Sequence, residues 1–143
     1  MVKEATYKRE WHMQSKRENV PDVIREILTD LSARIRLSDD ERDEIRLIFN
    51  ELLYNAIIHG NRSKINKQVH IHIKADQRFI CAIIRDEGAG FDVGGVIQKL
   101  KLEDLQKESG RGMTLVMELA DEIEYSDRGR QVAFTKKVGL RNG

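Results

Sequence analysis

The alternation of apolar and polar residues divides the chain into elements. Residues 5–13 alternate loosely, with Tyr7, Trp11 and Met13 as the large apolar positions, which predicts an edge strand. After Pro21, Val23, Ile24, Ile27, Leu28, Leu31 and Ile35 recur at helical spacing. Ser38-Asp39-Asp40-Glu41 has the form of a capping box. It opens a second helix whose apolar stripe is Ile45, Ile48, Phe49, Leu52, Leu53, Ala56 and Ile57, with Gly60-Asn61 as its stop. The period then changes to two. Val69, Ile71, Ile73 and Ala75 alternate with Gln68, His70, His72 and Lys74, and the turn Asp76-Gln77-Arg78 leads into the apolar run Phe79 to Ile84.

Gly88, Gly90, Gly94 and Gly95 break this pattern, and a polar stretch follows from Gln98 to Ser109. A third helix is expected from Gly110-Arg111-Gly112, with Leu115, Val116, Leu119 and Ala120 inward. Strands around Ile123–Ser126 and Gln131–Lys137 close the chain and meet at Asp127-Arg128-Gly129. The order of elements predicts an α/β (α+β) two-layer sandwich. Its mixed, mostly antiparallel sheet is covered on one face by about three helices, and residues 1–143 form a single domain.

Composition narrows the function. With 40% hydrophobic and 34% charged residues the chain is that of a globular protein. Twenty-five basic against 24 acidic residues leave a net charge of +1, which argues against a nucleic-acid binder built on a clustered basic excess. The basic end around Lys136, Lys137 and Arg141 reads as a solvated edge. The single cysteine, Cys81, lies in an apolar run, and a lone buried thiol suits a reducing compartment. Met1-Val2-Lys3-Glu4 lacks the apolar stretch of a signal peptide, and no run of apolar residues is long enough to span a membrane, so the cytoplasm is the expected location.

Candidate chemistry lies at three places. Glu51, Asn55 and His59 are four apart and line one side of the second helix, with Asn55 at the margin of the buried stripe. Taken alone, this is also what a helix with a solvated polar edge looks like. Asp86 ends a strand in which Ile80, Ala82 and Ile84 share its face, and an acceptor-only carboxylate there suits the amino group of adenine and repels the carbonyl of guanine. Gly88-Ala89-Gly90 then permits tight turns and close approach to a ligand. Finally, Ser109-Gly110-Arg111-Gly112-Met113 opens a helix, whose free N–H groups can take a phosphate.

Taken together, Glu-x-x-x-Asn on a helix, Asp-x-Gly-x-Gly after a strand and Gly-x-Gly at a helix start resemble the N, G1 and G2 boxes of the GHKL (Bergerat-fold) ATPases, over roughly residues 20–138. The run Glu51-Leu52-Leu53-Tyr54-Asn55-Ala56-Ile57-Ile58-His59-Gly60 looks most like the anti-sigma-factor serine-protein kinases. The resemblance implies ATP and Mg²⁺ as cofactors. Asn55 would contribute to Mg²⁺ coordination, and Glu51 would be the general base. Asp86 would bind adenine, and Gly88 and Gly90 would admit base and ribose. Gly110 and Gly112, with Arg111 and Met113 beside them, would hold the phosphates, and 94–109 would form the ATP lid. It further implies an anti-anti-sigma protein as substrate, a sigma factor as second partner, and a homodimer for which Tyr7 and Trp11 are candidate contacts. Trp11 and Met13 otherwise read as core.

Two departures stand out. Gly129-Arg130-Gln131 replaces the Gly-Thr by which relatives hold adenine through water. Lys107-Glu108 stands where an arginine is common before the second glycine box. Other nucleotide motifs fail, since no Gly-Lys pair exists for a Walker loop and neither His-Arg-Asp nor Asp-Phe-Gly occurs. His70 and His72 read as solvated strand residues rather than metal ligands, and His59 as a helix-end residue beside the pocket. Beside the kinase reading stand a catalytic ATPase domain of a histidine-kinase-like system and a non-catalytic ATP-regulated binding module. The segment before residue 20 is short for the helical hairpin of the former, and Glu51 together with Asn55 favours catalysis over the latter.

Overall fold

The computed structural model describes residues 7–89 and 112–139. Five strands, β1 (Tyr7–Gln14), β2 (Gln68–Ala75), β3 (Phe79–Arg85), β4 (Glu122–Ser126) and β5 (Gln131–Lys137), form one sheet in the order β1-β2-β3-β5-β4. Every pairing is antiparallel, so the parallel component allowed by a mixed sheet is absent among the described residues. The helices are α1 (Asn19–Ser32), α2 (Asp39–Asn55), which runs on into a π-helical turn (Ala56–Gly60), and α3 (Gly112–Leu119).

Period-two alternation places Val69, Ile71, Ile73, Ile80, Ala82, Ile84, Val132 and Phe134 on one face, where all are buried under the helices. The edge of the Phe49 ring on α2 meets the Phe134 ring at 5.3 Å between centroids, which seats α2 on the sheet. Ser38 and Glu41 make the expected capping box, at 3.0 and 2.9 Å. The second oxygen of Glu41 reaches 98 residues along the chain to accept the Gly139 N–H at 2.8 Å, tying the start of α2 to the chain just after β5.

Four expectations need correction. Tyr7 and Trp11 are core residues, not a dimer surface. Both are buried, and the Tyr7 hydroxyl donates to Asp30 on α1 at 2.7 Å. Lys136 is not a solvated edge but buried on the inner face. Its ammonium donates to the Leu119 carbonyl at the end of α3 at 3.0 Å and pairs with Glu44 of α2 at 2.9 Å, which satisfies the buried charge and joins two helices. Leu115 is 42% exposed, because α3 turns the Val116–Ala120 line rather than the Leu115–Leu119 line toward the sheet. Cys81 is only half-buried. It lies on the outer face of β3 with its Sγ 3.5 Å from the Thr135 hydroxyl.

On that outer face, His70 is not simply solvated either. Its Nδ1 faces that of His12 at 2.6 Å, and its Nε2 meets Glu87 at 2.6 Å. No group of three or more ligands with metal-holding geometry exists among the described residues. Nor is any described helix long and apolar enough to cross a membrane.

Candidate functional site

Glu51 and Asn55 occupy successive turns at the C-terminal end of α2, on one side of it. Asn55 is 6% exposed and Glu51 half-buried. The helix then widens. The Asn61 N–H bonds back five residues to the Ala56 carbonyl at 2.8 Å, so His59 sits in a π turn and leaves the 100° line that Glu51 and Asn55 share.

Asp86 extends the inner face of β3. Its N–H continues the ladder to the Arg130 carbonyl at 2.9 Å, and its side chain, 4% exposed, follows Ile80, Ala82 and Ile84 inward. One carboxylate oxygen accepts the Gly88 N–H at 2.9 Å, which fixes the turn. The other packs against Gly60, where an added Cβ would collide with the carboxylate. A Cβ on Gly88 would in turn run into the Gly60 carbonyl. These two glycines are therefore what lets the π turn and the end of β3 close on Asp86.

A crevice opens at this meeting point, with Leu52, Asn55 and Ala56 on the helical wall and Ile84, Asp86 and Tyr125 on the sheet wall. It is narrow, about 10 Å³, and apolar save for a few polar groups. The Tyr125 hydroxyl is held far above its ordinary pKa by burial and then by the Asp86 carboxylate, so it remains a protonated donor. Arg130 also lines the crevice, but its guanidinium folds back on its own turn. Nη2 donates to the Asp127 carboxylate at 2.9 Å, and Arg85 grips the same carboxylate at 2.7 Å. These cations, the Arg130 hydrogen bond foremost, hold Asp127 below the usual carboxylate range.

Residues 13–136 match the family described as the histidine kinase-like ATPase domain. The chain belongs to that family. The ATPase fold accounts for a sheet with helices on one face and for the N-box helix beside the Asp86 turn. Among its relatives, the "Anti-sigma F factor" of Halalkalibacterium halodurans is 38% identical over 87 residues, 59% of this chain and 60% of that protein. That of Lysinibacillus sphaericus is 27% identical over 120 residues, covering 80% and 82%. That of Bacillus thuringiensis is 33% identical over 108 residues, covering 72% and 74%. The matched segment thus spans 60% of the length of the first of these relatives. A domain of this family binds ATP.

Of the residues expected at the site, the fold brings Asn55, Asp86 and Gly88 together, with Glu51 one helical turn before Asn55 on α2. Gly90, Gly110, Arg111 and the lid at 94–109 lie outside the described residues. Gly112 and Met113 are seen only as the first residues of α3.

Three residues escaped the sequence reading. Gly60 reads as a helix stop, and its packing on Asp86 is invisible without the fold. Tyr125 reads as one more apolar strand position. Asn61 is 1% exposed, and its side chain joins three segments. Its Nδ2 donates to Ser15 Oγ at 2.7 Å and to the Gln68 carbonyl at 2.9 Å, while its Oδ1 accepts the Glu87 N–H at 2.7 Å. Only one orientation of the amide satisfies all three.

Replacing it strands buried groups, so Asn61→Ala is expected to destabilise the protein by about 3 kcal/mol. It should also loosen the 86–88 turn. Urea unfolding checks the first effect and nucleotide titration the second. Asn61→Asp, which cannot donate, should lose nearly as much.

Proposed function

We propose that this protein is an ATP-dependent serine-protein kinase and anti-sigma factor that acts by partner switching with an anti-anti-sigma protein. The observation that carries the reading is the buried Asp86 carboxylate, clasped by Gly60 and Gly88, opening onto a crevice lined by Asn55, with Glu51 one turn before it on α2. Relatives of this ATPase family named as anti-sigma F factors supply the biological setting.

Asp86 accepts from the adenine amino group. The donor chemistry suits Mg²⁺, since the Asn55 amide oxygen is a hard neutral ligand one helical turn from the Glu51 carboxylate. Bound there, the ion would offset charge on the phosphates. Glu51 takes the proton from the incoming serine hydroxyl as general base. Gly88 and Gly90 leave room for base and ribose, and Gly110, Arg111, Gly112 and Met113 surround the phosphates under the 94–109 lid. The serine is presented by the antagonist protein, whose phosphorylation frees the kinase, acting as a homodimer, to hold its sigma factor.

Incubation with labelled Mg-ATP and purified antagonist-fold proteins from neighbouring genes should give a single phosphoserine and a nucleotide-dependent complex. If no neighbour is modified or bound with ATP, ADP or no nucleotide, the switching role is wrong even where ATP binding stands.

A further inference from the structure

We propose that His12 and His70 form a chelating site for a tetragonal divalent transition-metal ion, Cu²⁺ or Ni²⁺, on the outer face of the sheet. The inference goes beyond the nucleotide reading and does not depend on it, since the helices and the crevice lie on the other face.

Register brings the two histidines together. β1 and β2 pair antiparallel with His12 directly opposite His70, and period-two alternation turns both away from the core. Their Nδ1 atoms face each other at 2.6 Å. The other ring nitrogen of His70, Nε2, meets the Glu87 carboxylate at 2.6 Å. Glu87 is itself fixed, because its second oxygen accepts the Gln68 N–H at 3.0 Å and its own N–H donates to Asn61. The hydrogen bonds from His70 and then from Gln68 hold that carboxylate below the usual range. It is therefore an acceptor only, which places the His70 proton on Nε2 and leaves Nδ1 as a lone pair aimed at His12. A carboxylate behind the far nitrogen is how proteins orient a histidine that binds a metal.

At 2.6 Å one of the two Nδ1 atoms carries a proton, and with the His70 proton on Nε2 it is that of His12. To offer Nδ1 as a second ligand, His12 needs only to carry its proton on Nε2 instead. That nitrogen lies 3.6 Å from a Glu10 carboxylate oxygen, which favours the exchange, and the imidazole stays neutral throughout.

The spacing selects the ion. Two nitrogens bound at about 2.0 Å stand about 2.8 Å apart when the bonds meet at a right angle, and about 3.3 Å apart in a tetrahedron. The observed 2.6 Å lies nearer the first, so square-planar or tetragonal Cu²⁺ and Ni²⁺ fit with a smaller movement than tetrahedral Zn²⁺. Two imidazoles do not fill a coordination shell. Water takes the other positions, and its access is open, with the His12 side chain 50% and the His70 side chain 23% exposed. His72 shares the face but stands opposite Glu10, with its Nε2 3.6 Å from that carboxylate. It serves as the control.

The test is calorimetric titration of the full chain, untagged and free of nucleotide, with NiCl₂, CuCl₂ and ZnCl₂. Wild type should bind one Ni²⁺ or Cu²⁺ per chain, and Cu²⁺ more tightly than Zn²⁺. Electron paramagnetic resonance of the Cu²⁺ complex should show coupling to two imidazole nitrogens, an arm that needs no variant. His12→Ala and His70→Ala should each weaken Ni²⁺ binding by about tenfold or more, while His72→Ala binds as wild type does. Absence of saturable binding of either ion, coupling to fewer than two nitrogens, or unchanged affinity in both His12→Ala and His70→Ala overturns the site. Tighter binding of Zn²⁺ than of Cu²⁺ overturns its tetragonal assignment.

Discussion

Asp86→Asn is expected to weaken ATP binding by about a hundredfold, which corresponds to about 3 kcal/mol. The wild-type carboxylate has only acceptors to offer, and one is already committed to the Gly88 N–H at 2.9 Å. An asparagine that keeps its oxygen on Gly88 turns its NH₂ toward Gly60 and the base, where the adenine amino group is also a donor. The opposite flip sets NH₂ against the Gly88 N–H. Either way, a buried donor loses its acceptor in a site only 4% exposed, where water cannot step in. Discrimination against GTP should fall with it, because the repulsion between carboxylate and guanine O6 disappears. Titration of both nucleotides into wild type and variant checks this. Equal ATP and GTP affinity in wild type, or an unaltered variant, would remove the base-site assignment.

Glu51→Ala should separate binding from chemistry, retaining ATP while phosphoryl transfer falls by about 10² or more. Glu51 lies one turn before Asn55 on the same side of α2, half-buried, on the crevice end of the helix. In the proposed reading it serves the phosphates rather than the base. Asn55→Ala should weaken both binding and transfer, since an ion held there would offset the charge of the phosphates. Single-turnover transfer to the antagonist protein, with binding measured separately, distinguishes the two variants. Wild-type turnover in Glu51→Ala would leave that residue as a structural acid.

Much of the fold was legible from residue order. The change from helical to period-two spacing after Gly60 locates the sheet, and the Ser38–Glu41 signal fixes the start of α2 because a capping box is a local arrangement. Asp86 could be assigned to the inner face for a similar reason, since alternation along one strand decides the side on which each residue falls. The Glu51–Asn55 pair follows from 3.6 residues per turn as long as the helix stays α. It fails at His59, where the π turn changes the step.

Along β2 and β3 the sequence alone determined which face each side chain takes, because strand alternation depends on neighbours within a few residues. Only the tertiary structure decided what stands opposite those faces. Lys136 lies on the inner face by alternation, but its burial depends on Glu44, which is distant in the chain, and on the end of α3. Asn61 matters because Ser15 just after β1, the start of β2 and the Asp86 turn converge on its amide, and Gly60 because the π turn presses it against a carboxylate 26 residues later. Tyr125 becomes a polar group of the site only once β5 lies between β3 and β4. Periodicity reports the orientation of a side chain relative to its own element. Strand register and helix packing decide which distant partner it meets, and those contacts set the chemistry of the site.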